Sequence, residues 1–192
     1  RSMATRGARG GLAIQSEQVG EIFDAANFDI IIYETVGVGQ TELDVMGMTD
    51  SVLVALVPEA GDGVQVMKAG LMEIADIFVV NKADRDGSQR MMTELSLMLE
   101  LKYSSRAHDG ALLDQWRIPV LATQAINGTG VTELFETIGE HQRHALDSGL
   151  LERRRSTRRR EELISRSRHE HPPTIDDGGS LVATAHPGRE RP

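Results

Sequence analysis

The sequence lacks several features that would each define a class of protein. Its 192 residues include no cysteine, so a disulfide framework and a metal site built on thiolates are both excluded. No apolar run approaches the roughly 20 residues that span a bilayer, and no secretory signal peptide is visible. We therefore expect a protein of the cytoplasm that does not cross a membrane.

The chain also lacks an initiator methionine, because it begins with Arg1. We expect a fragment whose N-terminal part is missing, long enough for one domain with a tail. The net charge of −8 is unevenly distributed. Acidic residues outnumber basic residues about twofold in residues 1–150, whereas basic residues are in excess afterwards. An acidic body argues against nucleic acid as the main partner.

Apolar strands and amphipathic helices alternate along most of the chain. This alternation predicts a parallel α/β sheet flanked by helices, with right-handed crossovers. Because ligands of such sheets bind beyond the carboxyl ends of the strands, the loops after three of the strands are expected to converge on one edge. The predicted helices cover residues 15–27, 64–74, 88–103 and 131–146, and the predicted strands cover 28–34, 52–57, 77–80 and 118–122.

The last part of the chain differs in composition from the rest. Two arginine triplets predict a charged helical extension over residues 149–167, either solvated or forming a contact between subunits. Residues 168–192, rich in His, Pro, Gly and Asp, are predicted to be disordered. His141 and His144 share one face of the preceding predicted helix without a third ligand, so we expect both at the surface and not in a metal site.

The stretch 28–42 ends an apolar run with a carboxylate and glycines. Glu34 lies at the end of the predicted strand, and Gly37 follows three residues later. At that edge of a sheet, Glu34 is placed to hold Mg²⁺ through water. The backbone N–H of Gly37 is placed to approach a γ-phosphate, where a side chain would block access. An ordinary strand followed by a glycine turn is the alternative.

The string Asn81-Lys82-Ala83-Asp84 follows the third predicted strand. Guanine presents two N–H donors on one edge, and a carboxylate accepts both, whereas adenine presents an acceptor there. Asp84 is therefore predicted to select guanine over adenine. Lys82 is predicted to lay its stem along the base, and Asn81 to connect neighbouring loops.

The loop Thr123-Gln124-Ala125 follows the fourth predicted strand and opens on the same edge. It is placed to offer a backbone N–H to the guanine carbonyl oxygen, although the tripeptide alone also fits an ordinary turn. Hydrolysis of GTP at such a site would be phosphoryl transfer to water, driven by positioning and charge neutralisation.

Together these motifs resemble the MeaB/ArgK family of P-loop GTPases, once described as lysine-arginine-ornithine transport ATPases. The resemblance extends from Arg1 to about Arg160. The string from Glu34 to Gln40 is its most specific part, because few other GTPases have Glu where most have Asp. The strings that carry the resemblance are Arg1-Ser-Met-Ala-Thr-Arg-Gly7, Gly10-Gly-Leu-Ala13, Glu34-Thr-Val-Gly-Val-Gly-Gln40, Ala60-Gly-Asp62 with Gln65 and Lys68, and Asn81-Lys-Ala-Asp84.

The resemblance implies a GTP-hydrolysing metallochaperone with a partial G domain over residues 1–148. Its implied partner is the adenosylcobalamin-dependent methylmalonyl-CoA mutase, whose cofactor loading GTP hydrolysis would gate. The C-terminal helices of the family form a homodimer contact, which suits residues 151–164. The implied roles are catalysis for Glu34, Gly37 and Gln40, Mg²⁺ binding for Glu34, GTP binding for Asn81, Lys82, Asp84, Thr123 and Ala125, and switching or coupling to the mutase for Arg6, Asp62, Gln65 and Lys68.

The sequence also departs from the family pattern. It contains no Gly-x-x-Gly-x-Gly-Lys-Ser/Thr phosphate loop, and the strand before that loop would lie between residues 28–34 and 52–57. We therefore expect unpaired sheet edges and weak or no GTP binding by these 192 residues alone. Two alternatives are a non-catalytic module that binds a partner, and an ATP-dependent amino-acid transport kinase, which Asp84 disfavours.

Overall fold

A computed structural model shows a parallel β-sheet flanked by helices, as the alternating pattern predicts. It describes residues 15–35, 48–58, 70–106, 116–157 and 159–160. The sheet has three strands, β1 (Leu53–Leu56), β2 (Ile77–Asn81) and β3 (Val120–Thr123), in the order β1-β2-β3. The helices of the same region are α1 (Gln15–Ala25), α2 (Leu71–Ile74), α3 (Ser88–Arg106) and α4 (Val131–Asp147).

Strand β2 forms the centre of the sheet and of the core. Its Phe78 pairs with Val54 of β1 on one side and with Val120 of β3 on the other. Four consecutive apolar residues of β2, beginning at Ile77, are buried. A continuous apolar run of this kind is expected in a parallel strand covered on both faces. The register places Asn81 opposite Thr123 at the carboxyl edge.

Helix α3 packs on the sheet through residues spaced four apart. Met91, Leu95, Leu99 and Tyr103 are all buried and belong to the same core cluster. This spacing places them on one face of the helix. The hydroxyl of Tyr103 also accepts a hydrogen bond from the backbone N–H of Ile118, at 2.7 Å, just before β3. Met91 of this face fills the core and is only 5% exposed.

The strand predicted over residues 28–34 does not form. Residues 30–35 have no regular secondary structure, and Ile30 and Ile32 are 62% and 84% exposed. A strand needs a neighbour for its backbone hydrogen bonds, and no described strand pairs with this segment. The segment lies against α1 instead, where Tyr33 fills the space above Gly20 so closely that a Cβ there would clash with the Tyr33 hydroxyl.

Helices α1 and α4 each leave a large apolar side chain exposed. Ile22 of α1 is 64% exposed and Phe135 of α4 is 63% exposed. Helix α4 buries Thr137, His141 and Ala145 instead, again at a spacing of four residues. The expectation of a surface position for His141 is therefore wrong. Its imidazole is 0% exposed, and its Nδ1 lies 2.7 Å from the hydroxyl oxygen of Ser51, 90 residues earlier in the sequence.

The chain divides into two compact units, Arg1–Arg155 and Ser156–Pro192. In the first unit, residues 150–155 form a helix, called α5 below. In the second unit, the described residues 156, 157, 159 and 160 are helical. None of the helices in the described ranges combines the length and the apolar character that a bilayer crossing requires.

Candidate functional site

The carboxyl ends of β2 and β3 are joined by the side chain of Asn81. Its Oδ1 accepts a hydrogen bond from the Thr123 hydroxyl and another from the Ala125 backbone N–H, each at 3.2 Å. A third bond links the same loops, because the Ala83 N–H donates to the Thr123 carbonyl oxygen at 3.0 Å. The structure thus brings the loops after β2 and β3 together, as the sequence predicts, and Asn81 holds them together.

Lys82 and Asp84 are both exposed beside this junction. Lys82 has a φ of +56°, in the left-handed region, which costs a residue with a side chain about 1–2 kcal/mol. Strained backbone of this kind is concentrated at ligand-binding and switch sites. The exposed carboxylate of Asp84 is open to a ligand that carries paired N–H donors.

The loop after β3 is a compact turn that leads into α4. Gln124 and Thr129 form an isolated antiparallel bridge across it, and Gly130 closes it with a φ of +74°. A Cβ on Gly130 would lie 2.1 Å from the Ala122 carbonyl oxygen, so only glycine fits there. The Ala125 N–H is engaged by Asn81, and a bond from it to a guanine oxygen would require this contact to be exchanged.

Of the remaining predicted site residues, Glu34 alone lies within the described residues. Glu34 is exposed in the segment without regular structure. The described residues contain no group of three or more His, Cys, Asp or Glu that could hold a metal ion. The other predicted residues, Arg6, Gly37, Gln40, Asp62, Gln65 and Lys68, lie outside the described residues.

A second polar cluster, the Asp76 network, lies at the opposite edge of the sheet, where β2 begins. Arg154 of α5 donates two hydrogen bonds to the Asp76 carboxylate, at 2.8 and 2.9 Å. The Val52 N–H, just before β1, donates a third at 2.9 Å. His141 Nε2 lies 3.3 Å from Asp76 Oδ1 without the geometry of a hydrogen bond, and His141 Nδ1 lies 2.7 Å from the Ser51 hydroxyl oxygen.

The carboxylate of Asp76 is held ionised by this network. Burial alone raises the pKa of Asp76, but the Arg154 hydrogen bonds, followed by His141 and the Val52 N–H, outweigh burial and lower it from 3.8 to about 2. Around it, Trp116 donates from Nε1 to the Asp76 carbonyl oxygen at 2.8 Å and packs edge-on against His141. Because Asp76 is committed to Arg154, the Ser51–His141–Asp76 arrangement stabilises the fold and does not form a nucleophile triad.

Sequence reasoning missed the Asp76 network, since its contacts join residues as far as 90 positions apart. Arg154 lies within an arginine triplet that predicts a solvated helix face, and Asp76 looks like an ordinary residue before a strand. The one available signal was the position of Asp76 directly before a buried strand. A solvated side chain is unexpected there, so a buried partner of opposite charge could have been inferred.

Comparison with known proteins identifies the family. The family model described as methylmalonyl-CoA mutase-associated GTPase MeaB matches residues 1–171. The chain belongs to the MeaB family.

Similar proteins occur in distant organisms. A protein of Pyrococcus horikoshii named as a GTPase is 47% identical over 163 residues, covering 85% of this chain and 50% of that protein. The mitochondrial methylmalonic aciduria type A homolog of Mus musculus is 34% identical over 160 residues, covering 82% of this chain and 37% of that protein. The chain thus spans about half the length, or less, of these curated relatives.

A solved structure shows the same fold. The crystal structure of an LAO/AO transport system kinase superposes with a TM-score of 0.60 at 29% sequence identity. The match covers 80% of this chain and 48% of the other. This likeness confirms the parallel α/β sheet predicted from the alternating strands and helices, and also the P-loop nucleoside-triphosphatase fold that the family resemblance implies.

Proposed function

We propose that this protein binds GTP through the junction of the β2 and β3 loops and, as part of a whole MeaB-family protein, hydrolyses it. The observation that carries the proposal is that Asn81 Oδ1 accepts two hydrogen bonds, from Thr123 and Ala125, which fix the Thr123–Ala125 loop beside Asp84. A rigid junction of two loops at the carboxyl edge is where ligands of open α/β sheets bind. The names of the relatives as GTPases support the same nucleotide.

Guanine fits the chemistry of this junction. Asp84 is an exposed carboxylate that can accept both N–H donors of the guanine edge. Adenine would place a lone pair against the same carboxylate. Exposed Lys82 supplies an alkyl stem that can cover one face of the base. The proposal therefore excludes ATP as the preferred nucleotide, and with it the transport-kinase alternative.

Glu34 is proposed to hold Mg²⁺ through water, and Gly37 and Gln40 to act at the γ-phosphate. The fit of Mg²⁺ rests on the donor set, since this ion uses one or two carboxylates together with substrate phosphates and water. Glu34 offers one exposed carboxylate of that kind. The ion would neutralise phosphate charge during hydrolysis.

The methylmalonyl-CoA mutase is the proposed partner, as the description of the matching family model indicates. We propose that Arg6 acts as a switch residue and that Asp62, Gln65 and Lys68 couple the nucleotide state to the mutase. A homodimer contact through residues 151–164 is a further part of this proposal. A pull-down of purified mutase with the chain, with and without GTP, would test the partnership, and equal recovery in both cases would favour a partner-binding module.

The guanine site is tested most directly by nuclear magnetic resonance titration with nucleoside monophosphates. These ligands carry the base but no γ-phosphate, and the method detects millimolar affinity. We expect GMP, but not AMP, to shift the amide signals of Ala83, Asp84 and Ala125. Asp84→Asn should weaken GMP binding at least tenfold, because it removes charge-assisted hydrogen bonds. The same variant should gain binding of xanthosine monophosphate, whose oxygen replaces the guanine amine.

The control is Asp86→Asn, the same substitution at an exposed carboxylate two residues further along. It should leave the GMP response unchanged. Equal shifts with GMP and AMP, or equal losses in the Asp84 and Asp86 variants, would contradict the proposal.

A further inference from the structure

We propose that Ser88 is a positioning residue for the guanine-binding carboxylate of Asp84, an inference that rests on the function proposed above. Ser88 is the first residue of α3. Its hydroxyl donates to the Ala83 carbonyl oxygen at 2.8 Å. That carbonyl belongs to the peptide group that joins Ala83 to Asp84, so the hydroxyl fixes the plane from which the Asp84 side chain projects.

The peptide on the other side of Ala83 is fixed as well. The Ala83 N–H donates to the Thr123 carbonyl oxygen of β3 at 3.0 Å. Ala83 is thus held by the sheet through its N–H and by α3 through its carbonyl. Two dihedral angles between fixed peptides leave the Cα of Asp84 little freedom. By contrast, its exposed carboxylate has only its own rotamers to set.

The support that Ser88 provides is rigid because α3 is anchored in the core. Met91, one turn after Ser88, is 5% exposed, and Leu95 is 1% exposed. The approach to the helix is a tight turn in which the Ser88 N–H donates to the Arg85 carbonyl oxygen at 3.3 Å and Gly87 has a φ of +88°. The Ser88 hydroxyl therefore ties the loop that contains Asp84 to a helix that is anchored in the core.

The Ser88 bond differs in kind from the other described Ser and Thr hydroxyl bonds of α3. Thr93, Ser96 and Ser104 each donate to the carbonyl four residues earlier, within the helix itself. Such local bonds do not position any other segment. Ser88 alone among these four reaches a carbonyl outside the helix, five residues back, in the loop with the predicted base-recognising residues.

The test compares GMP with inosine monophosphate, which keeps the N1–H of guanine but lacks its amine. The dissociation constant for inosine monophosphate divided by that for GMP measures how well Asp84 engages the second donor, the guanine amine. We expect Ser88→Ala to weaken GMP binding about threefold to tenfold, as for the loss of one hydrogen bond, while inosine monophosphate binding changes less. Ser88→Thr, which keeps the hydroxyl, should restore the ratio.

The matched control is Ser96→Ala, which removes a hydroxyl bond of the same 2.8 Å length from the same helix. It should leave both dissociation constants unchanged. A ratio preserved in Ser88→Ala, or lowered equally in Ser96→Ala, would overturn the inference. If Ser88→Ala does not fold, Ser88→Cys is measured instead, because its weak S–H donor should lower the ratio in the same direction.

The same titrations separate this inference from the function on which it rests. A wild-type chain that does not prefer GMP over AMP refutes the guanine site itself, and the inference with it. A wild-type preference that Asp84→Asn abolishes and Ser88→Ala leaves intact refutes only the role of Ser88.

Discussion

Replacing Arg154 by methionine should destabilise the fold by about 3 kcal/mol at pH 7, because it leaves the Asp76 carboxylate buried without its main partner. The side chains of Arg154 and Asp76 are only 18% and 8% exposed, so water cannot take the place of the lost donors. Removing one partner of a buried ion pair costs about 3–5 kcal/mol. The lower end applies here because the Val52 N–H remains bound to Asp76.

The pKa of Asp76 gives a second measure of the same interaction. Burial raises this pKa, yet hydrogen bonds led by those of Arg154 lower it from 3.8 to about 2. At about 1.4 kcal/mol per pKa unit, the difference corresponds to a net stabilisation of about 2 kcal/mol. This value includes the opposing effect of burial, so it lies below the cost of removing Arg154.

The sign of the pH dependence follows from the lowered pKa. Stability from Asp76 is fully present above about pH 4, the unfolded-state value, and is lost as the pH falls from about 4 to about 2. In Arg154→Met the pKa of Asp76 rises, so this variant should lose less stability over that interval than the wild type. Asp76→Asn combined with Arg154→Met removes the unpaired charge and should recover part of the loss.

Urea unfolding followed by tryptophan fluorescence is the appropriate assay, since Trp116 is the only tryptophan and donates to the Asp76 carbonyl oxygen. Unfolding curves at pH 7, 5, 3 and 2 give the free energy at each pH. Arg153→Met, at the exposed neighbouring arginine of α5, is the control. If Arg154→Met and Arg153→Met differ by less than about 0.5 kcal/mol at pH 7, an ordinary surface effect, the reasoning is refuted.

Two further substitutions, measured by urea unfolding, test the backbone of the loops that follow β2 and β3. Gly130→Ala should lower the free energy of unfolding by about 2–4 kcal/mol, because a Cβ would lie 2.1 Å from the Ala122 carbonyl oxygen and the φ is +74°. The control is Gly128→Ala, which has a φ of +80° and open space around it and should lose only the stability that left-handed strain costs. Equal losses of stability in the two variants would contradict this prediction. Lys82→Gly should stabilise the fold by up to about 1 kcal/mol, since relief of left-handed strain exceeds the added chain entropy, and a destabilised variant would show that Lys82 is not strained.

The sheet was largely predictable because its signals are local. A strand forms at each of the apolar runs 52–57, 77–80 and 118–122, and its ends differ from the predicted ends by at most two residues. The run at 28–34 has the same composition, yet it forms no strand, because pairing depends on a neighbour that local composition does not reveal. An apolar β-branched run therefore predicts the capacity to form a strand, and only topology decides whether the capacity is used.

The Asn81 junction and the Asp76 network also differ in how far local sequence predicts them. The Asn81–Asp84 motif is contiguous, and its position after a buried strand was enough to predict that Asn81 connects two loops. The Asp76 network joins residues 78 and 90 positions apart, each unremarkable on its own. Polar partners offset the desolvation cost of burying a histidine or arginine, and the spacing of residues in the sequence does not identify those partners. A solvated position was therefore predicted for His141, and that prediction is incorrect.

Helix α4 connects the two edges of the sheet physically. It begins at the carboxyl edge of the sheet, where Gly130 lies so close to the Ala122 carbonyl oxygen that no Cβ fits. Eleven residues later, about 16 Å along the helix axis, His141 is buried in the Asp76 network. Helix α4 therefore begins where the Gln124–Thr129 turn ends and reaches the Asp76 network at the opposite edge of the sheet. The loop beside Asp84 is held at its own edge by Asn81 and by the bond from the Ala83 N–H to the Thr123 carbonyl oxygen, so it can be exposed and still be held in place.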